Sequence, residues 1–195
     1  MSGKTLQLTV PVQQRENWCW AATTVGVNHF YDPQSGRTQC DVVNRRLGRD
    51  DCCVSNNGPL PAACNAQSGL TLPLYEACHH RVTYANQLSF TEVVAEIEND
   101  RPVCVRVVWY QGLGDGHFLV ITGYIKGESG EIADVMVEDS YHGPSIHTFE
   151  AFQRFYRTTV QTPEGQELPQ DGRWTHSYCT QPQVAFASRS ADQKQ

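Results

Sequence analysis

The sequence contains no long hydrophobic run and no cluster of basic residues. A helix needs about eighteen consecutive apolar residues to cross a bilayer, so no membrane-spanning segment is expected. The formal net charge is −6, whereas nucleic-acid-binding proteins usually concentrate Lys and Arg. Residues 1–10 also lack a charged start followed by an apolar core, and no secretory signal is therefore expected there. Neither a membrane nor a nucleic acid is an expected partner.

The composition is that of an ordinary folded protein. Hydrophobic residues make up 39% and charged residues 18% of the 195 positions, enough to bury one sizeable core. We expect a single domain over residues 1–188, with a Cys-rich irregular insertion at 34–80 and a flexible tail at 189–195. The expected oligomeric state is a monomer.

Hydrophobic periodicity and turn residues predict the elements of this domain. Leu6, Leu8 and Val10 alternate with polar residues, which is typical of a strand. Asn17 is a candidate N-cap of the first long helix, and Ser89 with Glu92 forms a capping-box pattern. Residues 163–172 are expected to be a loop. The predicted helices span 18–31, 39–47, 72–78, 90–99 and 149–156, and the predicted strands span 6–10, 103–109, 118–124 and 132–137.

Three residues in these elements form a pattern that indicates nucleophilic catalysis. Cys19 falls in the first turn of its helix, where the helix dipole and a nearby imidazolium would favour the reactive thiolate. His117 opens an apolar strand, and the next strand ends at Asp139. Because a hairpin connects these strands, Asp139 should lie close to His117. The set predicts a nucleophile, a base and a carboxylate that orients the base.

Gln13 completes a motif that resembles those of papain-like cysteine proteases. It precedes Cys19-Trp20 by five intervening residues, and the Gly116-His117-Phe118 strand and then Asp139 follow in the family's order. The resemblance is greatest to compact bacterial members, such as staphopains, effector proteases of plant pathogens and double-glycine leader peptidases. It implies an α+β fold, in which a helical part led by the nucleophile helix packs on an antiparallel sheet carrying His and Asp. It also implies an oxyanion donor at Gln13, a nucleophile at Cys19, a base at His117 and an orienting residue at Asp139.

Each of these assignments has a competing reading. Gln14 is adjacent to Gln13, and Asp115 and Asn99 are alternatives to Asp139. Trp20 could either pack in the core or contact substrate. Three other aromatic residues could either pack or shield the histidine–carboxylate bond, namely Trp18, Tyr141 and Trp174. The histidines that could instead be the base, or simply surface or core residues, are His29, His79, His80, His142, His147 and His176.

The eight cysteines bear on the compartment in which the protein works. Four of them lie in the irregular region: Cys40, Cys52, Cys53 and Cys64. Adjacent cysteines rarely bridge, so two pairings remain open, either 40–52 with 53–64 or 40–53 with 52–64. Free thiols, or a zinc site that includes Cys78 or His79, are the other readings, and Cys104 is expected in the core. Disulfides would place the protein outside a reducing cytosol, secreted or delivered from the producing cell.

We therefore expect a cysteine endopeptidase that acts on protein or peptide substrates through a thioester, with no cofactor and no metal. Two alternatives stay open at this stage. The same residues could catalyse glutamine deamidation or transamidation, since those reactions also proceed through an acyl-enzyme. The domain could also be an inactive, disulfide-stapled binding module that keeps the fold.

Overall fold

The computed structural model of the protein describes residues 1–54, 59–110, 115–127, 133–161 and 165–183. It contains helices packed on an antiparallel sheet, so the predicted α+β class is confirmed. Within the described ranges, every helix is too short or too polar to span a bilayer. The expected tail at 189–195 and the end of the expected domain at 184–188 lie outside the described residues.

The described ranges contain five α-helices, and the second and fourth begin at side-chain caps. Ser89 and Glu92 make the capping box predicted for the fourth helix, and Thr38 and Asp41 make another that starts the second. Gly48, at φ 64°, ends the second helix in the left-handed conformation. The helices are α1 (Cys19–Tyr31), α2 (Gln39–Leu47), α3 (Thr71–Glu76), α4 (Phe90–Glu98) and α5 (Phe149–Arg154), with a 3-10 turn at Ala62–Cys64.

Eight strands form one antiparallel sheet in the described part of the chain. The main order is β2-β8-β3-β4-β5-β6, while β1 pairs with β4 and β7 pairs with β8. Neighbouring strands in sequence, β3, β4 and β5, are also neighbours in space, as the predicted hairpins require. The strands are β1 (Ser2–Thr5), β2 (His80–Tyr84), β3 (Val103–Trp109), β4 (Gly116–Lys126), β5 (Ala133–Asp139), β6 (Ser145–Thr148), β7 (Tyr156–Gln161) and β8 (Glu167–Thr180).

The sheet separates two hydrophobic clusters. One lies between the sheet and helices α1 to α3, where α1 is buried along residues 19–28. The other lies on the opposite side, where α4 and α5 cover β3, β4 and β5. Alternate residues of β4 serve the two clusters: Phe118 and Val120 belong to the first, Leu119 and Ile121 to the second. Because both faces of β4 are buried, its backbone is a rigid support for the residues at its start.

The predicted strand at 6–10 is wrong. The first strand is β1, which pairs with the end of β4, and only one backbone hydrogen bond, from Leu6 N to Thr122 O, continues towards residue 10. The alternation is nevertheless real in burial, because Leu6, Leu8 and Val10 are each about 5% exposed. The segment leaves the sheet to pack against α1, where a Cβ on Gly26 would lie 3.1 Å from the Cα of Val10. The alternation therefore arose from burial in two different places: Leu8 and Val10 belong to the cluster under α1, and Leu6 belongs to the cluster on the other side of the sheet.

The region at 34–80 was expected to be an irregular insertion, but it includes α2, α3 and the start of β2. It also contains two disulfides, Cys40–Cys53 and Cys52–Cys64, which is the second of the two predicted pairings. Since these four sulfurs are bonded in two pairs, they are not available as thiolate zinc ligands. Cys104 is fully buried, as expected for a core residue.

The loop predicted at 163–172 is wrong over its second part. Residues from Glu167 onward belong to β8, a strand of 14 residues that pairs with β2, β3 and β7. The predicted helix at 149–156 correspondingly ends at Arg154, because Tyr156 begins β7. Asp171 and Gly172 are residue types common in turns and therefore suggested a loop, but pairing with β3 and β7 holds them in the sheet.

Candidate active site

Cys19 is the first residue of α1 and is 8% exposed. The expected N-cap at Asn17 is wrong: Trp18 occupies the cap position and no side chain caps the helix. The side-chain amide of Asn17 donates instead to the main-chain oxygen of Asn65 at 2.8 Å. The amides of a helix's first turn have no intrahelical acceptor, so this uncapped start offers donors next to the sulfur.

His117 lies at the start of β4 and is 7% exposed. Its Nε2 is 2.7 Å from Oδ1 of Asp139. The side chain of Cys19 also interacts with the imidazole and is among the contacts that raise the pKa of His117. Trp109 stacks on the imidazole with ring centroids 5.9 Å apart and an interplanar angle of 22°. The structure thus places the thiol beside an imidazole that is hydrogen-bonded to the carboxylate.

Asp139 ends β5 and is 2% exposed. Besides His117, its Oδ1 accepts from the backbone amides of Tyr141 and His142, at 2.6 and 3.1 Å. Its Oδ2 accepts from the hydroxyl of Tyr156 at 2.6 Å. Four donors therefore bind a carboxylate that has almost no access to water. A buried charge is tolerated only when it is hydrogen-bonded in this way.

The charges of this pair follow from competing effects. Burial lowers the pKa of His117, but the hydrogen bonds with Asp139 and Cys19 outweigh burial and raise the pKa to about 10. Burial raises the pKa of Asp139, but the hydrogen bonds from His117 and Tyr156 outweigh it and lower the pKa to about 2. At neutral pH the two groups therefore form an imidazolium–carboxylate pair. An imidazolium beside a sulfur stabilises the thiolate form of a cysteine.

Gln13 is anchored beside Asp139 but its amide points along its own loop. Its backbone N–H donates to Ser140 O at 2.9 Å, and its side-chain oxygen accepts from the Ser140 hydroxyl at 3.0 Å. Its side-chain nitrogen donates to the main-chain oxygens of Arg15 and Glu16, at 3.0 and 2.8 Å. Gln13 lines a concavity together with His117.

Two concavities meet at His117 and Trp109. The larger, of about 670 Å³, is lined on one side by Cys19 and residues 67–69 and on the other by Arg106 and residues 115–118. The smaller, of about 330 Å³, continues past His117 and is bordered by Gln13 and Tyr141. The sulfur and the imidazole therefore lie along an open groove that extends in both directions from them.

One wall of this groove is the segment 61–69, which contains Cys64 of the second disulfide and lines the groove at residues 67–69. The indole N–H of Trp18 donates to Cys64 O at 2.7 Å, and that of Trp20 donates to Ala66 O at 3.1 Å. Both tryptophans are buried, so they anchor the wall to α1 from beneath. Among the aromatic candidates, Trp18 and Trp20 are thus packing residues.

The remaining candidates lie in other environments. Trp174 is buried against Phe149 and Phe152, and Tyr141 is 59% exposed, whereas Trp109 covers the imidazole. Sequence reasoning missed Trp109 and Tyr156. A signal for the first was available, since Val108 pairs with Gly116 in the β3–β4 hairpin and Trp109 therefore lies at the same end of the sheet as His117.

The other polar candidates lie away from Cys19, His117 and Asp139 or at the edge of this group. Asp115 is exposed at the cleft rim, and Asn99 bonds to Ala95 O at the end of α4. His79 is buried between Asn28 and the oxygen of Gln181. His142 is the nearest of the other histidines, with its ring centroid 6.4 Å from that of His117.

A thiol at the start of a buried helix, facing across a groove an imidazole and a carboxylate carried by an antiparallel sheet, defines the class of papain-like cysteine hydrolases. The family model described as papain-like cysteine protease AvrRpt2 matches residues 2–157. The chain therefore belongs to this family and is a cysteine protease. A search of curated proteins found no significant match.

Proposed function

We propose that the protein is an endopeptidase that cleaves peptide bonds through a Cys19-His117-Asp139 triad and a thioester intermediate. The observation that carries this proposal is that Cys19 lies beside His117, which is hydrogen-bonded to Asp139, at the place where two concavities meet. A groove open on both sides of the nucleophile accommodates a substrate chain that continues beyond the scissile bond in both directions. An endopeptidase requires such a groove.

The first half of the reaction forms the acyl-enzyme. The Cys19 thiolate attacks the substrate carbonyl carbon, and the carbonyl oxygen takes the negative charge of the tetrahedral intermediate. The intermediate collapses as the C–N bond breaks, and protonated His117 gives its Nδ1 proton to the leaving amine. The first product leaves with a new amino terminus, and the acyl group remains on sulfur as a thioester.

The second half releases the acid. His117, now neutral, takes a proton from water as the water oxygen attacks the thioester carbon. The C–S bond then breaks, which returns the thiolate and the imidazolium. Throughout, Asp139 keeps the ring oriented through its hydrogen bond to Nε2 and stabilises the imidazolium.

The oxyanion site combines the backbone amide of Cys19 with the side-chain amide of Gln13. The first is supported by the uncapped start of α1. Gln13 is supported by its place beside His117 in the groove. Because its amide donates to the main-chain oxygens of Arg15 and Glu16, the role of Gln13 requires the amide to rotate when substrate binds.

We also propose that residues 1–188 act as one catalytic domain that works outside the producing cell. Strand pairing supports the single domain, since β2, β3 and β8 lie side by side although they are distant in sequence. The two disulfides support an oxidising destination or passage, because reducing cytosols disfavour such bonds. Membership of the AvrRpt2 family, a family of effector proteases, agrees with delivery from a bacterium.

The test compares Cys19→Ala with Cys78→Ser, a matched control at an exposed free cysteine. A proteome treated with wild type or Cys78→Ser should gain new amino termini, whereas treatment with Cys19→Ala should not. Mass spectrometry also separates the alternative chemistry, because deamidation adds about one dalton at glutamine without a new terminus. Cleavage by Cys19→Ala, or deamidation without cleavage by wild type, would overturn the proposal.

A further inference from the structure

The carboxylate of Asp139 has a partner that the triad does not include. Its Oδ1 serves His117 and two backbone amides, while its Oδ2 accepts only the hydroxyl of Tyr156 among the contacts described. Tyr156 is the first residue of β7 and is 2% exposed. It does not line either concavity beside Cys19, so it reaches the site from behind the carboxylate.

The phenol ring is fixed by its neighbours. It packs against Phe152 and His147, with centroid distances of 5.8 and 5.3 Å. On another side it meets Trp109 at 6.2 Å, and Trp109 itself stacks on His117. Tyr156 therefore touches both the carboxylate that binds the imidazole and the indole that covers it.

We propose that Tyr156 is a positioning residue for the catalytic pair: its hydroxyl locks the Asp139 carboxylate in the rotamer that presents Oδ1 to Nε2 of His117. The proposal rests on the proposed function, because it assumes that Asp139 orients the base. A two-point hold, with the backbone amides on Oδ1 and the phenol on Oδ2, removes rotation about the last side-chain bond. The orientation of the imidazole towards Cys19 then follows from the orientation of the carboxylate.

The same hydrogen bond also sets the charge of the carboxylate. Burial raises the pKa of Tyr156, as does the adjacent Asp139 charge, so the phenol stays protonated and remains a donor. Its donation is one of the contacts that lower the pKa of Asp139. A buried carboxylate that lost this donor would keep its charge less readily.

Other titratable groups surround the pair and must be considered in any pH measurement. His117 and the half-buried His142 face Asp139 directly. Ser145 acts to lower the pKa of Tyr156, and its Oγ lies 2.9 Å from Nε2 of His147. Burial lowers the pKa of both His142 and His147, so both are expected to be neutral at neutral pH.

The test is Tyr156→Phe in the full chain, which keeps the ring and removes only the hydroxyl. We expect kcat to fall by about tenfold, the effect of one hydrogen bond to a charged group, with KM unchanged because the groove is untouched. In carbon-13 NMR, the titration of the Asp139 carboxyl should move to higher pH. A phenol that only filled space would leave this titration in place.

The matched control is Tyr124→Phe. Tyr124 is also a buried tyrosine whose hydroxyl donates to a carboxylate, that of Glu98, but it lies near the other end of β4. The control should leave kcat, KM and the Asp139 titration unchanged. Substitution of Tyr156 by 3-fluorotyrosine provides a second variant, since fluorine strengthens the phenol as a donor and should move the titration to lower pH.

Wild-type kcat and an unmoved Asp139 titration in Tyr156→Phe would overturn this proposal. If that variant does not fold, an unmoved titration with 3-fluorotyrosine would do the same. Asp139→Ala separates this failure from failure of the proposed function. If Asp139→Ala loses activity while Tyr156→Phe keeps wild-type activity, the proposed triad stands and only the proposed role of Tyr156 is rejected. Full activity in Asp139→Ala would instead remove Asp139 from the mechanism.

Discussion

The two walls of the groove are built by different means. The helical wall, residues 61–69 against the start of α1, is tied by the Cys52–Cys64 disulfide and is fixed by side-chain donors to main-chain oxygens. The sheet wall, formed by the start of β4 and the end of β5, is fixed by strand pairing and by two hydrophobic clusters. The reacting groups divide between them, with Cys19 on the helical wall and the imidazole–carboxylate pair on the sheet wall. Covalent cross-links therefore supplement the hydrophobic cluster under α1 where the chain is broken by Gly and Pro.

The largest effect should follow from removing the reacting group of the sheet wall. We expect His117→Ala to lower kcat by about 10²–10⁴-fold, the usual contribution of a general acid–base group. The fold should remain, because β4 keeps its partners β3 and β5. Peptide cleavage and thermal unfolding measure the two effects. His29→Ala, an exposed histidine on α1, is the control and should match wild type in both measurements. Comparable activity in the two variants would remove His117 from the mechanism.

The helical wall should respond to loss of its cross-link in stability and in substrate binding. We expect Cys52→Ser with Cys64→Ser to lower the free energy of unfolding by about 2–4 kcal/mol. We expect KM to rise more than kcat falls, because residues 67–69 line the groove while the His117–Asp139 bond lies elsewhere. Denaturant unfolding and steady-state kinetics measure these changes. A fall in kcat at constant KM would show that the cross-link supports the reacting groups and not the wall.

The sheet wall should also show a pH-dependent stability that the helical wall lacks. The pKa of His117 is raised in the folded protein to about 10, so its stabilising contribution is complete below the unfolded pKa of about 6.5. That contribution is lost as pH rises from about 6.5 through about 10. We therefore expect the difference in free energy of unfolding between wild type and His117→Ala to shrink over this range. Chemical denaturation at several pH values measures the difference, and a constant difference would contradict the assigned pair.

Sequence patterns predicted the sheet wall better than the helical wall. The strand at 103–109 was predicted with its observed bounds. The hairpin argument placed Asp139 beside His117, and in the structure Oδ1 of Asp139 lies 2.7 Å from Nε2 of His117. Their catalytic roles, with those of Cys19 and Gln13, stay predictions. This success has a physical cause, since consecutive hairpins make neighbours in sequence into neighbours in space.

The errors fall where a residue's role depends on a distant segment. Tyr156 was assigned to a helix, and its contact with Asp139 depends on the pairing of β7 with β8, which local sequence does not encode. Leu8 and Val10 showed a strand's alternation because they pack under α1, while Leu6 is buried in the cluster on the other side of the sheet. The two possible disulfide pairings satisfied the same spacing rule, so only the fold could select between them.

The smallest effect concerns Asn17, and it separates a helix cap from a wall contact. Its side-chain amide donates to Asn65 O in the helical wall, and its backbone amide donates to the side chain of Asn65. Asn17→Ala should lower the free energy of unfolding by about 1 kcal/mol through the lost hydrogen bond. A cap would show a similar loss, so this variant alone does not discriminate.

Asn17→Ser discriminates between the two roles, because serine is as good an N-cap as asparagine but is too short to replace the amide donor. If Asn17 capped α1, the serine variant would be as stable as wild type. Since the structure assigns its amide to the helical wall, we expect the serine and alanine variants to lose similar stability in denaturant unfolding. Both should retain the imidazole–carboxylate pair of the sheet wall, which neither substitution touches. A serine variant with wild-type stability would restore Asn17 as the cap of the nucleophile helix.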